Sequence, residues 1–185
     1  MLITRERDKL INAVLYFAAN TEYCGKVKLF KLLYFLDFEH FKITGRSVTG
    51  LDYYAWKMGP VPTQLFDEIQ APEHDMASAV EFDEIPVYQG NASMLKINAK
   101  VSFNSKNFTK RELKLMQSLA SEYSNKKADD MIEATHLENM PWDKVYNKDN
   151  KKRDLIPYEL SLRSQEAEIV NQVVVERKQA IASLS

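Results

Sequence analysis

Asp37 and His40 stand three residues apart in a stretch that reads as helix, so their side chains share a face. A carboxylate beside an imidazole is the raw material of a general base or of half a metal site. His136 can join them across a core, whereas His74 sits in a polar segment with no ligand spacing to the others. A metal reading needs a third and fourth ligand, and no bound metal is expected. On an otherwise apolar helix, Asp37 and His40 are expected to be tied into a buried hydrogen-bond network, because buried polar groups must be paired.

Cys24 directly precedes Gly25 and a helix start, a place where the helix dipole can lower a thiol pKa and make it nucleophilic. No histidine is spaced to serve it, so Cys24 is expected to act as a small filler. With 5 glycines the chain has no Gly-Xaa-Ser-Xaa-Gly elbow, phosphate loop or dinucleotide fingerprint. Enzyme classes that depend on these are excluded, and the expectation is a protein without catalytic residues or cofactor.

The elements that must position these residues follow from periodicity. Thr4 can cap a first helix in which Leu10, Ile11, Val14, Leu15 and Ala18 recur at helical spacing, ending near Asn20. A second helix from about Lys26 to Thr44 is closed by Gly45 and is apolar nearly all round, which places it at the centre of the fold. Alternation from Val48 to Met58 predicts a strand, with Tyr54 and Trp56 opposite Tyr53 and Ala55. Pro60 and Pro62 make Gly59-Pro60-Val61-Pro62 a rigid corner that ends this strand and leads into a short helix over 63–70.

A loop is predicted to about Glu84, then a hairpin of 85–89 and 94–99 around Gly90-Asn91, with Pro86 on an edge strand. Thr109 and Glu112 have the spacing of a capping box for the next helix, and a further helix covers about Ala128 to Leu137. Met140-Pro141-Trp142 breaks it before a short turn. A polar loop over 147–154 precedes a final helix marked by Ile169, Val170, Val173, Val174 and Ile181. The fold class expected is α+β: a mostly helical single domain with a central apolar helix and a small antiparallel sheet of about three strands.

Composition bounds the rest. The 185 residues, 45% hydrophobic and 28% charged, suffice for one substantial core. With 25 basic and 26 acidic residues the net charge is -1, so no global field recruits nucleic acid or anionic membrane. One cysteine suits a reducing cytosol, the apolar runs stop well short of the roughly 18 residues of a membrane span, and a cytoplasmic protein is expected. Lys26, Lys28 and Lys31, with Lys42 and Arg46, can form a basic patch for phosphates, but the expectation is that these lysines reach out to solvent. Residues 58–95 contain Asp67, Glu68, Glu73 and Asp75 and no lysine or arginine, which marks a candidate acidic docking surface for a basic partner. Tyr54 and Trp56 join that surface as candidate partner-binding aromatics.

Read in order, Lys28-Leu29-Phe30-Lys31-Leu32-Leu33-Tyr34, Asp37 with His40, Gly45, Thr49-Gly50, Tyr53 with Ala55, Gly59-Pro60-Val61-Pro62, Thr135-His136 and Trp142 resemble the Panacea domain. This is the SocA-like antitoxin domain, related to phage-associated GepA proteins. The resemblance covers roughly 4–146, leaving 147–185 as a C-terminal extension whose helix is expected on or next to the domain. It implies an antitoxin of a type II toxin–antitoxin system that neutralises a cognate protein toxin from a neighbouring gene by direct binding. In one branch the antitoxin is a proteolytic adaptor for a AAA+ protease; in another setting the domain is a phage or prophage interaction protein acting on a host or defence factor. DNA contact is expected at most for operator autoregulation. The motif residues Lys28, Lys31, Tyr34, Asp37, His40, Gly59, Pro60, Pro62, His136 and Trp142 are expected to be structural.

Overall fold

The computed structural model describes residues 5–87, 92–137, 139–162, 172–176 and 179–183. Thr4, Gly90-Asn91, Ile169 and Val170 therefore lie outside the described residues. Helix α1 spans Glu6–Asn20 and α2 spans Lys26–Thr44, where Gly45 takes a left-handed φ of 65° and returns its N–H to Phe41 O. Every residue from Lys28 to Phe38 is buried, so α2 is the axis of the core, as its all-round apolarity predicts. Leu29, Leu32, Leu33 and Leu36 are each fully enclosed, and each such burial stabilises the fold by about 1.5–3 kcal/mol.

Around α2 the chain places β1 (Tyr54–Trp56), β2 (Gly59–Val61), α3 (Thr63–Glu68), α4 (His74–Ala79), β3 (Val80–Val87), β4 (Ala92–Ala99), α5 (Lys110–Glu122), α6 (Ala128–Thr135) and α7 (Pro141–Asp143). A π-helical turn over Lys144–Lys148 and a 3-10 turn over Tyr158–Ser161 follow. The class is α+β as expected. Among the described residues its β part is two separate antiparallel hairpins, β1–β2 and β3–β4, in place of one small sheet of about three strands.

Two local expectations are corrected. The strand read over 48–58 pairs only at Tyr54–Trp56, and the corner at Gly59-Pro60 is itself the returning strand, in register Tyr54↔Val61 and Ala55↔Pro60. Proline is tolerated because Pro60 lies on β2, whose other side pairs with no strand among the described residues. The loop read to Glu84 contains α4 and the first half of β3, since Val80 and Phe82 turn inward while Glu81 and Asp83 face solvent. The capping box forms as read, with Glu112 N donating to Thr109 Oγ1 at 3.2 Å and Thr109 N to Glu112 Oε2 at 2.7 Å.

The packed unit continues past Tyr146. Ala55 N donates to Asp154 O, Arg153 N to Ala55 O and Ile156 N to Tyr53 O, so 153–156 runs alongside β1. Ile156 is buried, and Tyr158 packs its ring on Phe38 and Phe41 while donating its hydroxyl to Leu51 O. Residues 172–176 and 179–183 are helical, and Val173, Val175 and Ile181 are exposed there.

Candidate binding groove

The β1–β2 ribbon turns through Lys57 and Met58, and this tight reversal requires the positive φ of 96° at Gly59. Alternation sends Tyr53 and Ala55 into the core and leaves the Trp56 ring on the outer side. There it meets Phe66 of α3 at 5.2 Å, and Phe66 in turn meets Phe30 of α2 at 6.3 Å. Val27, Val61 and Tyr146 complete the walls of an open groove of about 510 Å³, with half-exposed Met58 at its lip.

Apart from these apolar walls, every residue lining the groove is cationic: Lys26, Lys31, Lys57, Lys152 and Arg153. Three of the cations lie over rings. Lys26 Nζ is 5.0 Å from the Phe66 centroid, Lys152 Nζ 5.7 Å from Tyr146, and the Arg153 guanidinium 5.1 Å from Trp56. Lys31 lies beneath the ribbon, almost fully enclosed, with Nζ donating to Pro60 O at 2.8 Å. Burial without a countercharge pushes its ammonium down to about 7.

The motif residues hold the groove from behind. Trp142 Nε1 donates to Trp56 O at 2.9 Å, and its indole is stacked between His136 at 3.7 Å and Tyr146 at 4.6 Å. The Tyr34 ring packs at 4.2 Å on Phe38 and edge-on to Tyr53. His136 Nε2 is buried and has no hydrogen-bond partner among the described residues. Burial, followed by the nearby Lys31 charge, pushes His136 down and favours its neutral ring.

The shared network expected for Asp37, His40 and His136 resolves into separate sites. Asp37 is fully enclosed, and its carboxylate accepts from Val48 N at 2.7 Å, Thr49 N at 2.8 Å, Tyr53 OH at 2.7 Å and the Thr49 hydroxyl. Burial raises this carboxyl to about 6 even though all four donors pull it down. His40 Nδ1 contacts Arg46 O at 2.7 Å, its Nε2 lies 3.9 Å from Glu112 Oε1, and burial lowers its pKa. The donors around Asp37 fix the 48–53 segment to α2; they leave no lone pair facing a cavity for proton transfer. Burial likewise raises the Cys24 thiol, which suits a filler and not a nucleophile.

Lys28 and Lys31 correct the expectation that the α2 lysines reach solvent, whereas Lys26 and Lys42 are partly exposed. Lys28 is enclosed and donates to Glu22 O, Ser124 O and Lys126 O at 2.7, 3.0 and 2.7 Å, joining the α1–α2 loop to the turn after α5. No phosphate patch forms from Lys28 and Lys31, because both ammonium groups end on carbonyls.

The acidic set is corrected as well. Arg7 of α1 forks onto Glu68 at 2.5 and 2.7 Å and onto Asp75 at 2.5 and 2.8 Å, and lies 3.8 Å from Glu73. The Arg7 bond holds Asp75 down at about 2. Glu68 is buried, so this cluster staples α1 to α3 and α4; of the expected docking acids Asp67, Glu73 and Asp75 remain exposed, Asp75 with its carboxylate on Arg7. Tyr54 is half-buried and lies outside the groove lining, whereas Trp56 is one of its walls.

Sequence reasoning missed Phe66, Tyr146, Lys57, Lys152 and Arg153. The available signals were the Lys57-Met58 pair beside Trp56 and the Lys151-Lys152-Arg153 run, which reads as an ordinary polar loop.

Fold and site together define a helical α+β domain with a buried central helix and an open, aromatic-walled, basic groove. Residues 29–143, well over half of the chain, match the family described as antitoxin SocA-like, Panacea domain, and the chain belongs to that family. No curated protein and no solved structure matches it. No helix among the described residues is long and apolar enough to cross a membrane.

Proposed function

We propose that this protein is an antitoxin that neutralises a cognate toxin, encoded by a neighbouring gene, through direct protein–protein contact in the cytoplasm. The observation that carries this reading is the family match, which runs from Leu29 within the buried helix through Asp143 and so takes in the ribbon and α3. The groove supports it: a rigid scaffold presents apolar walls and fixed cations outward, a surface suited to holding another chain. The proposal also holds that the protein acts without catalysis. Asp37 has its lone pairs engaged, and His40 and His136 are held apart from it in distinct pockets.

Co-expression with the product of the neighbouring gene tests the reading. Growth restored and a complex that co-purifies are the expected results, and absence of both would refute it. Dependence of toxin clearance on a AAA+ protease, measured in the same cells, separates simple occlusion from delivery to proteolysis.

A further inference from the structure

The groove's charge is the opposite of what the composition leads one to expect. The chain carries a net charge of -1, yet five of the residues lining this one concavity are lysine or arginine and none is acidic. The remaining lining residues are apolar, including three aromatic rings that each carry a cation at 5.0–5.7 Å. Resting on the antitoxin reading above, we propose that the groove receives a segment of the partner protein in which one or two aromatic or aliphatic anchors are flanked by aspartate or glutamate.

Size, polarity and charge each constrain this occupant. A volume of about 510 Å³ accommodates a few side chains, not a domain face, so a single segment enters it. Trp56, Phe66 and Phe30 form a continuous apolar wall on which an anchor is desolvated, the setting in which aromatic contacts carry most binding energy. Lys57 and Lys152 are exposed at the rim, where they meet the flanking carboxylates in water and act mainly on association and on partner choice. A basic segment would meet the like charges of Lys26, Lys57, Lys152 and Arg153 and is rejected on the same ground. Met58, 54% exposed and unbranched, offers an adaptable lip for an anchor of variable shape.

The test uses the full chain and two exposed-residue variants, Lys57→Glu with Lys152→Glu, and Met58→Asp. In the co-expression assay the wild type is the control on the antitoxin reading: if it fails to neutralise the neighbouring gene product, that reading falls. If it neutralises and both variants do so equally well, the groove assignment falls while the reading stands. The expected result is loss of neutralisation in both variants with melting temperatures unchanged. In parallel, three probes are titrated while tryptophan fluorescence is followed: a 15-residue peptide with Phe and Leu anchors and four Glu, the same peptide with Lys for Glu, and a single-stranded oligothymidine. Binding of the acidic peptide that weakens at least tenfold in the double variant, and falls with added salt, supports the assignment. No binding of the acidic peptide, equal binding of the lysine peptide, or tighter binding of the oligonucleotide overturns it.

Discussion

Gly59→Ala probes the joint between the ribbon and α2. At φ 96° an L-residue bears a conformational cost of about 1–2 kcal/mol. A Cβ built there would lie 2.7 Å from Lys31 Nζ and 2.8 Å from both Lys31 Cε and Thr135 Oγ1, closer than real contacts allow. Lys31 is almost fully enclosed, so its ammonium yields only by giving up the bond to Pro60 O, a charged hydrogen bond of about 1.5–3 kcal/mol. The two terms sum to about 3–5 kcal/mol, a large part of the stability of a domain this size. Gly45→Ala, at φ 65° on the end of α2, is the control and should cost about 1 kcal/mol. Urea unfolding at constant m-value measures both. Lys31→Met removes Nζ, and in the Lys31→Met background the cost of Gly59→Ala should fall by about 1 kcal/mol or more. Equal losses for Gly59→Ala and Gly45→Ala, or no coupling to Lys31, would refute the close approach and with it the placement of Lys31 under the groove.

Two further expectations concern the buried charges. In Asp37→Asn the amide NH₂ faces hydroxyls that now donate to a carboxylate, which removes charged hydrogen bonds from Thr49 and Tyr53. Because burial raises the folded carboxyl from 3.8 to about 6, the stability tied to its protonated form is complete below about pH 4 and is lost as pH rises through about 6. The stability difference between wild type and Asp37→Asn should therefore shrink from pH 4 to pH 7 by roughly 2 kcal/mol, read from urea midpoints; a difference that widens with pH would mean that the four donors outweigh burial. Lys28→Met strands three carbonyls that one ammonium now satisfies and should lower stability by about 1–3 kcal/mol in the same assay while leaving groove binding unchanged.

The parts of the fold legible in the sequence are those specified by local chemistry. The all-round apolar helix, its Gly45 terminus and the Thr109–Glu112 capping box all follow from residues close in the chain. So does the side of β1 on which Trp56 lies. What sequence could not supply was long-range pairing. Arg7 meets Glu68 and Asp75 from more than sixty residues away, and this turns a stretch that reads as free negative charge into an internal staple. Arg153 reaches Trp56 from a loop almost a hundred residues downstream. In both cases the character of a surface changed because a cation arrived from a distant element. The ribbon escaped notice for a different reason: its three-residue strands contain Pro60, and single-strand patterns argue against proline in a ladder.

The buried family residues grip the groove by its backbone. Lys31 holds Pro60 O and Trp142 holds Trp56 O, and beyond the family match the backbone N–H of Arg153 closes on Ala55 O, so the ribbon's position is set through main-chain carbonyls. Lys26, Val27, Phe30 and Lys31 meanwhile share one side of α2, at helical spacings that give the groove one wall from the core helix itself. Because the grip is on carbonyls, the outward side chains at Lys57 and Met58 stand apart from these bonds, and on the proposed reading replacing them alters the groove's surface while the ribbon stays held. On the proposed reading, a domain assembled in this way keeps one fold while its groove is retuned, and the side chains that face an occupant are separable from those that hold the ribbon.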